Sequence, residues 1–430
     1  MKIKPTSEKA KSASKVSSRS HLGDTSCVPK LRFPHFTTPW ETTPLSRLLR
    51  FQNGVNAPAE KYGRGGKFVS VSDIIQNDYV TYDNIVGSVD VDDATLERYS
   101  VENGDMVFQR SSETVEDIGR ANVYLDNRTA TFGGFVIRGK KIGVYNPYFF
   151  KCLLYSNEAR RKVIRVGAGA QHYNIGQEAL SQISLHFPEM AEQRRIADLL
   201  LLVSNRIAAQ LKLVELLKKH KRGLLNGLFS GKIRIGQGGE WCTYRLGDIV
   251  RRVTRKNGLA SDIPLTISAR HGLIDQREFF SKSVASADMS GYVLLRRGEF
   301  AYNRSSSGEY PFGSIKRLER YAQGAVSTLY LCFEANGDED DAAFLKWYFD
   351  SFAWHRQVGM ICAEGARNHG LLNVPTEGFF DTRHTLPTDK SERKAIVSLM
   401  SLAETRCELA ESELTHLLEL KSGLLQQMFV

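Results

Sequence analysis

Two stretches of this chain carry the residue types best suited to gripping a polyanion. Gly104-Asp105-Met106-Val107-Phe108-Gln109-Arg110-Ser111-Ser112 aligns with Gly298-Glu299-Phe300-Ala301-Tyr302-Asn303-Arg304-Ser305-Ser306. Each reads as a turn, an alternating strand and then an exposed loop of basic and hydroxyl groups. Arginine can take guanine O6 and N7 in a bidentate pair or clamp a phosphate, and serine hydroxyls suit phosphate oxygens. If the partner is a nucleic acid, Arg110 and Arg304 are the leading candidate contacts, with a structural salt bridge at the strand end as the alternative. A second matched pair is Gly167-Ala168-Gly169-Ala170-Gln171-His172-Tyr173-Asn174 and Gly365-Ala366-Arg367-Asn368-His369-Gly370. Small residues permit close backbone approach, and the amide, imidazole and guanidinium groups that follow can read base edges. A plain glycine turn explains either stretch equally well. Arg270-His271-Gly272 is a third candidate, with Gly272 marking a turn.

Catalytic chemistry finds no comparable support. Asn146-Pro147-Tyr148-Phe149 is similar to the Asn-Pro-Pro-Phe motif that grips a flipped adenine in amino-methyltransferases. It lacks the second proline, however, and no glycine-rich cofactor loop follows a strand upstream, so it reads as a loop leading into a buried helix. The Gly-Ala-Gly-Ala run lacks the strand, helix and acidic partner of a dinucleotide site. No catalytic residue and no metal site are assigned, because neither paired carboxylates beside a lysine nor a nucleophile beside a base can be picked out. The six cysteines are scattered without a CxxC pair and read as reduced thiols.

The elements that must position these loops are duplicated. Glu192, Ile196, Leu199, Leu202, Arg206, Leu217, Lys221, Gly223, Leu224, Leu225 and Phe229 all recur 200 residues later as the identical residue. Trp40, Leu45 and Leu48 precede Trp241, Leu246 and Ile249 by 201 residues. One globular block plus one helix has been repeated in tandem. The intervening segments barely resemble each other, the pattern of a shared scaffold carrying two different surfaces. Trp40 and Trp241 each open a block beside an apolar strand and are assigned to core packing.

Each repeat ends in a long heptad stripe. The first seam runs through Ile196, Leu200, Val203, Ile207, Val214, Leu217, Leu224 and Leu228, and the second through Ile396, Met400, Ala403, Cys407, Leu414, Leu417, Leu424 and Met428. Residues 191–230 hold eight basic and three acidic residues, whereas 391–430 hold four basic and six acidic. This opposition favours pairing of the two helices over self-association. A pseudo-two-fold repeat would pair them as an antiparallel coiled coil about 55 Å long at 1.5 Å per residue, with the blocks at opposite ends. The alternative is that each helix packs only on its own block.

Net charge of +10 overstates the basic character of the folded part, because residues 1–32 hold eight Lys/Arg against two Asp/Glu. Any DNA-binding surface must then come from local clusters, such as Arg160, Arg161, Lys162 and Arg165, or Arg245, Arg251, Arg252, Arg255 and Lys256. Solvated helix faces or loops explain both clusters as readily. With 42% hydrophobic and 25% charged residues the composition is that of a folded soluble protein. No apolar run approaches the ~20 residues needed to span a bilayer and nothing at the start resembles a signal peptide, so no membrane partner and a cytoplasmic location are expected.

Several segments, in order and twice over, resemble the specificity (DNA-recognition) subunit of type I restriction-modification systems. They are Val28-Pro29-Lys30-Leu31-Arg32-Phe33-Pro34 with Trp40-Glu41, Glu240-Trp241 with Leu246-Gly247-Asp248-Ile249, Glu192-Gln193-Arg194-Arg195-Ile196-Ala197 after Pro188, and Lys221-Arg222-Gly223-Leu224-Leu225-Asn226-Gly227-Leu228-Phe229. The second helix opening departs from the pattern, with Ser391-Glu392-Arg393-Lys394. The resemblance implies an α+β chain with two tandem target-recognition domains, each reading one half of a split, asymmetric site on double-stranded DNA. It implies boundaries of a flexible basic tail (1–30), domain 1 (31–187), spacer helix 1 (188–230), domain 2 (231–386) and spacer helix 2 (387–430). It further implies two methyltransferase (modification) subunits and restriction/translocase subunits as partners, with S-adenosylmethionine, ATP and Mg on those partners and no cofactor on this chain. A self-contained methyltransferase or nuclease with built-in recognition domains is the alternative from the enzyme class, and a coiled-coil scaffold indifferent to sequence is a third.

Overall fold

The computed structural model describes residues 28–167, 173–236, 239–268, 272–279, 288–306, 310–362, 370 and 372–430. The proposed tail, apart from residues 28–30, lies outside them. The chain divides into two compact units, one running to Ala208 and including Thr415–Val430, the other covering Ala209–Leu414.

In the first unit the block is closed by its own ends: strand Glu41–Pro44 pairs antiparallel with Ser184–Phe187, Glu41 opposite Phe187. Between them an antiparallel sheet runs in the order Leu49–Asn53, Val136–Lys141, Met106–Gln109, Ala121–Val123. The second unit repeats both features. Trp241–Arg245 pairs with Arg383–Pro387, and the sheet order is Val250–Arg252, Leu331–Ala335, Phe300–Asn303, Ser314–Arg317. Where the repeats diverge is the smaller layer. The first unit builds it from Tyr62–Val69, Ser88–Val89 and Thr131–Phe132, and the second from the pairs Leu265–Ser268 with Gly272–Asp275 and Val293–Arg296 with Gln323–Val326.

This second layer corrects one expectation. Strands Met106–Gln109 and Phe300–Asn303 alternate between two cores and not between core and solvent. Met106 and Phe108 enter the larger core of the first unit while Val107 enters the smaller one. Phe300 and Tyr302 likewise face the larger core of the second unit while Ala301 faces its smaller one. A central strand with a packed layer on each face is apolar along its length.

The long helices span Met190–Phe229 and Lys390–Gln427. All sixteen residues assigned to the seam are buried or half-buried. The larger core of the first unit takes Ile196, Ala197 and Leu200 from the first helix, and Met428 and Phe429 from the end of the second. That of the second unit takes Leu225, Leu228 and Phe229, and Ile396 and Met400. Phe429 packs on Phe149 and Trp40 at centroid distances of 5.5 and 6.3 Å, and Phe229 on Phe344 and Tyr348 at 5.7 and 5.4 Å. Trp40 is buried as expected, whereas Trp241 is only partly covered, with Arg234 stacked 5.1 Å over its ring. Within the second unit Gln210 Nε2 donates to the Ala410 carbonyl at 2.9 Å, and Lys218 and Lys221 form ion pairs with Glu411 and Glu404.

Polar groups interrupt the seam where they can be satisfied. Lys421 donates to Asp78 at 2.8 Å, and Asp78 also accepts from Lys151 at 2.9 Å and Tyr148 at 2.6 Å. Burial would push the Asp78 carboxyl up, but the two ammonium groups and the phenol outweigh it and hold the group well below the usual carboxylate range.

At the start of each long helix sits a buried glutamate. Glu192 receives Arg32 Nε and Nη2 at 2.8 and 2.7 Å. Glu392 receives Arg234 Nε at 3.1 Å and Trp241 Nε1 at 3.2 Å. Just before these arginines, the Leu31 amide donates to the Gln427 carbonyl at 2.8 Å, and the Ile233 amide to the Gly227 carbonyl at 2.9 Å. The segment entering each block is thus fastened to the end of one helix and the start of another.

Removing one partner of a buried pair strands the other, at a cost of about 3–5 kcal/mol. Arg32 is 11% exposed and Arg234 37% exposed, so water can rescue the second far better than the first. Glu192→Gln is therefore expected to lower unfolding stability more than Glu392→Gln, measured by denaturant unfolding of the full chain; equal losses would contradict the burial difference.

Candidate nucleic-acid interface

The leading loops begin at the same turn in both units. Gly104 and Gly298 have φ of +91° and +93°, a region that side chains with a Cβ rarely adopt. Each is followed by a buried acid. Asp105 accepts from the Glu102 amide at 3.1 Å, and Glu299 from the Arg296 amide at 2.7 Å. Burial pushes the Asp105 carboxyl up, against the pull of its two backbone donors. The acid cap explains why Asp and Glu share this alignment position, a role the sequence alone did not reveal.

From that turn the central strand delivers Arg110 and Arg304 to its far end. Among the described residues neither forms the salt bridge considered as an alternative; both hold backbone. Arg110 Nη1 donates to the Gly134 carbonyl at 3.2 Å. Arg304 donates through Nε and Nη2 to Leu329 at 3.2 and 2.8 Å, and through Nη1 to Val374 at 3.3 Å. Gly134 and Leu329 both lie two residues before the neighbouring strand of their sheet. Each arginine thus clasps the equivalent turn, and Arg110 keeps more of its five N–H groups uncommitted.

The two loop families singled out in each repeat come together in space. Ser111–Ser112 pairs antiparallel with Tyr173–Asn174, and Ser111 Oγ donates to Asn174 Oδ1 at 2.7 Å. The Ile175 amide donates to the Arg110 carbonyl at 3.0 Å, and the Leu372 amide to the Arg304 carbonyl at 2.8 Å. The Ser306 amide donates to the Gly370 carbonyl at 2.7 Å. Ser305, Ser306 and Asn174 are exposed, Ser111 and Ser112 half-buried, and Tyr173 packs against the larger core. Gln171, His172, Arg270, His271, Arg367, Asn368 and His369 lie outside the described residues.

Basic clusters separate into two kinds. Arg245, Arg251 and Arg255 are paired with Asp381, Glu334 and Glu299, whereas Arg252 and Lys256 of the same cluster are exposed. In helix Asn157–Val166, Arg160 binds the carbonyls of Glu116 and Ile118 and Lys162 pairs with Glu158, whereas Arg161 and Arg165 are exposed on the helix that leads into residues 168–172. Exposed Arg356 occupies the matching helix His355–Ile361, ahead of residues 363–369, and was not singled out from sequence.

Asn146-Pro147-Tyr148-Phe149 opens a helix, as its reading as a structural loop anticipated. Asn146 Oδ1 accepts from the Phe149 amide at 2.9 Å, Pro147 takes the first turn, and all of Tyr148–Leu154 is buried. Among the described residues no group of three or more His, Cys, Asp or Glu could hold a metal ion, and no helix is long and apolar enough to cross a membrane.

No family model and no curated protein matches the sequence. Solved structures do match. The type I restriction-modification S subunit from M. genitalium superposes with a TM-score of 0.53 at 13% identity, covering 94% of this chain and 99% of that one. A chain from a structure of complex assembly and conformational transition in the type I R-M system gives 0.54 at 12% identity, covering 91% and 97%. The HsdS subunit from Thermoanaerobacter tengcongensis gives 0.45 at 13% identity, covering 91% and 96%. The chain shares the fold of type I specificity subunits: two α+β domains, each followed by a long helix.

The arginine clasps have unequal weight. Arg304→Ala removes three contacts to backbone and Arg110→Ala one, so the first is expected to cost about 1–2 kcal/mol and the second less than about 1 kcal/mol at these partly exposed sites. Denaturant unfolding of the two variants checks this order.

Proposed function

We propose that this chain is the DNA-reading specificity subunit of a type I restriction-modification system, recognising a bipartite asymmetric site and carrying no catalysis of its own. The observation that carries the reading is the duplicated ladder. The same scaffold position in each unit joins an Arg-Ser-Ser loop common to both repeats to a second loop whose sequence differs between them, at the end of a packed sheet. A rigid frame with two unlike tips suits two unlike half-sites on double-stranded DNA.

The long helices serve as the spacer, paired as an antiparallel coiled coil. Supporting this, Lys218 meets Glu411 while Lys221 meets Glu404, so one number rises as the other falls. Leu202, Leu213 and Leu216 on the first helix and Leu402, Leu409 and Leu420 on the second are exposed. In this reading they dock two methyltransferase subunits, which bring S-adenosylmethionine to the target adenines, and restriction/translocase subunits using ATP and Mg join them in the cytoplasm. The isolated chain should bind no S-adenosylmethionine and methylate nothing; cofactor binding by the chain alone would favour the enzyme reading.

Two measurements test the reading. Arg110→Ala should weaken recognition of one half-site and Arg304→Ala the other, by about 1–3 kcal/mol each if the arginine reads a base. Uniform weakening with a shallower salt dependence would mean phosphate contact. Competition binding against duplexes altered in each half separates the cases, and unchanged half-site preferences in both variants would remove the base-reading role.

The spacer sets the gap. Half-site centres about one turn apart, roughly 34 Å, are expected for two readers on one face of the duplex. Inserting one helical turn near Leu211 should move the readers by up to ~5 Å and lengthen the tolerated gap by about a base pair. Methylation mapping in cells carrying the partner subunits would read both halves and the gap; altered base preference at unchanged spacing would overturn the spacer role.

A further inference from the structure

The first four-stranded sheet carries, on the face turned away from its larger core, a group of cations that outnumbers the carboxylates beside it. Arg50 and Lys140 stand directly opposite one another on neighbouring strands, and Arg138 lies opposite Gln52 two residues along. Arg98, the last residue of the short helix Asp93–Arg98, overhangs them. With Gln52, Glu97 and Ser100 these four side chains line a cleft of about 360 Å³. Like charges placed directly across a ladder destabilise it. The matching position in the second unit solves the problem differently: Arg251 stands opposite Glu334 and pairs with it at 2.6 Å.

Neutralisation inside the cleft is partial. Glu102 pairs with Lys140 at 3.1 Å, and Glu97 is exposed at the rim. Arg50 and Arg98 form no ion pair among the described residues. Arg138 is only 5% exposed, yet its Nη1 and Nη2 are bound to the Ser100 carbonyl and the Gln52 side-chain oxygen, both neutral, and its Nε has no hydrogen-bond partner. Burial of this guanidinium with an unsatisfied donor is costly; the charges of the nearby Asp105 and Glu102 carboxylates offset part of that cost, and an anion in the cleft would offset more.

We propose that this cleft binds a phosphate group. Phosphate oxygens accept from several guanidinium and ammonium donors at once, and arginine forks suit them geometrically. The group could come from a DNA backbone or from a small phosphate compound. Lys140 lies four residues along its strand from Val136, which pairs with Gln109 beside Arg110. The cleft is therefore about 13 Å from that loop at ~3.3 Å per residue, a separation compatible with a backbone phosphate flanking the bases read. Only the DNA source rests on the proposed function.

Two variants test the proposal in the full chain. Lys140→Glu recreates the Arg251–Glu334 arrangement, and Arg50→Gln removes an exposed cation that has no partner to strand. Inorganic phosphate and pyrophosphate are titrated calorimetrically at constant ionic strength, and duplex binding is measured across a salt series. A tenfold or greater loss of phosphate or pyrophosphate affinity in both variants supports a small phosphate ligand. A DNA salt slope reduced by about one contact, with half-site preferences unchanged, supports a backbone phosphate. If wild type and the folded variants agree in both series, the proposal is overturned. Should the chain bind no DNA at all, the phosphate titrations alone decide, so the cleft and the DNA-reading role fail separately.

Discussion

A buried carboxylate at the foot of each long helix is the constraint around which the molecule is built. Glu192 and Glu392 sit where water cannot solvate them, so each must be met by a fixed donor. Arg32 and Arg234 supply it from the segments that enter each block, and in doing so set the path of the chain into the first strand. That strand pairs with the last strand of the same block, which leads straight back to the helix. A single ionic contact thereby fixes entry, exit and helix start together. The aromatic plugs Phe229 and Phe429 complete each junction from the apolar side.

Residues tied into these junctions were legible in the sequence because they have no freedom to vary. The spacing of 200 residues between Glu192 and Glu392, or Phe229 and Phe429, marks positions where shape and charge are both specified. The seam was legible for the same reason, since a stripe of period 3.5 leaves its imprint whatever the residues around it. Less was visible of the smaller layers, whose strands differ in number and pairing between the repeats. The buried acids after Gly104 and Gly298, and the carbonyls held by Arg110 and Arg304, were hidden because the partners are backbone atoms, which carry no residue type. The cationic cleft was equally hidden, since Arg50, Arg98 and Lys140 become neighbours only once the strands are in register.

Division of labour within each unit follows from its two cores. The larger one contains the helix ends and the closing strands, and its junction residues, such as Leu45 and Leu246, Ile196 and Ile396, and Phe429 and Phe229, recur between repeats. The smaller one is built from segments that do not, yet it packs on the opposite face of the same central strand. The arginine at the end of that strand is consequently braced from both sides. The strand is thus shared between a layer whose pairing recurs and one whose pairing differs between the repeats.

The fastening of Leu31 to Gln427 has a topological consequence. It reproduces, between residues nearly 400 positions apart, the contact that Ile233 makes with Gly227 six residues earlier. One of these junctions is spanned by peptide bonds and the other is not, yet the amide, carbonyl, arginine and glutamate fall into the same arrangement in both. Covalent continuity is therefore not what sets the geometry where a helix hands over to the next block. Connectivity and local shape are separable in this chain: the same handover is built once along the backbone and once between distant segments.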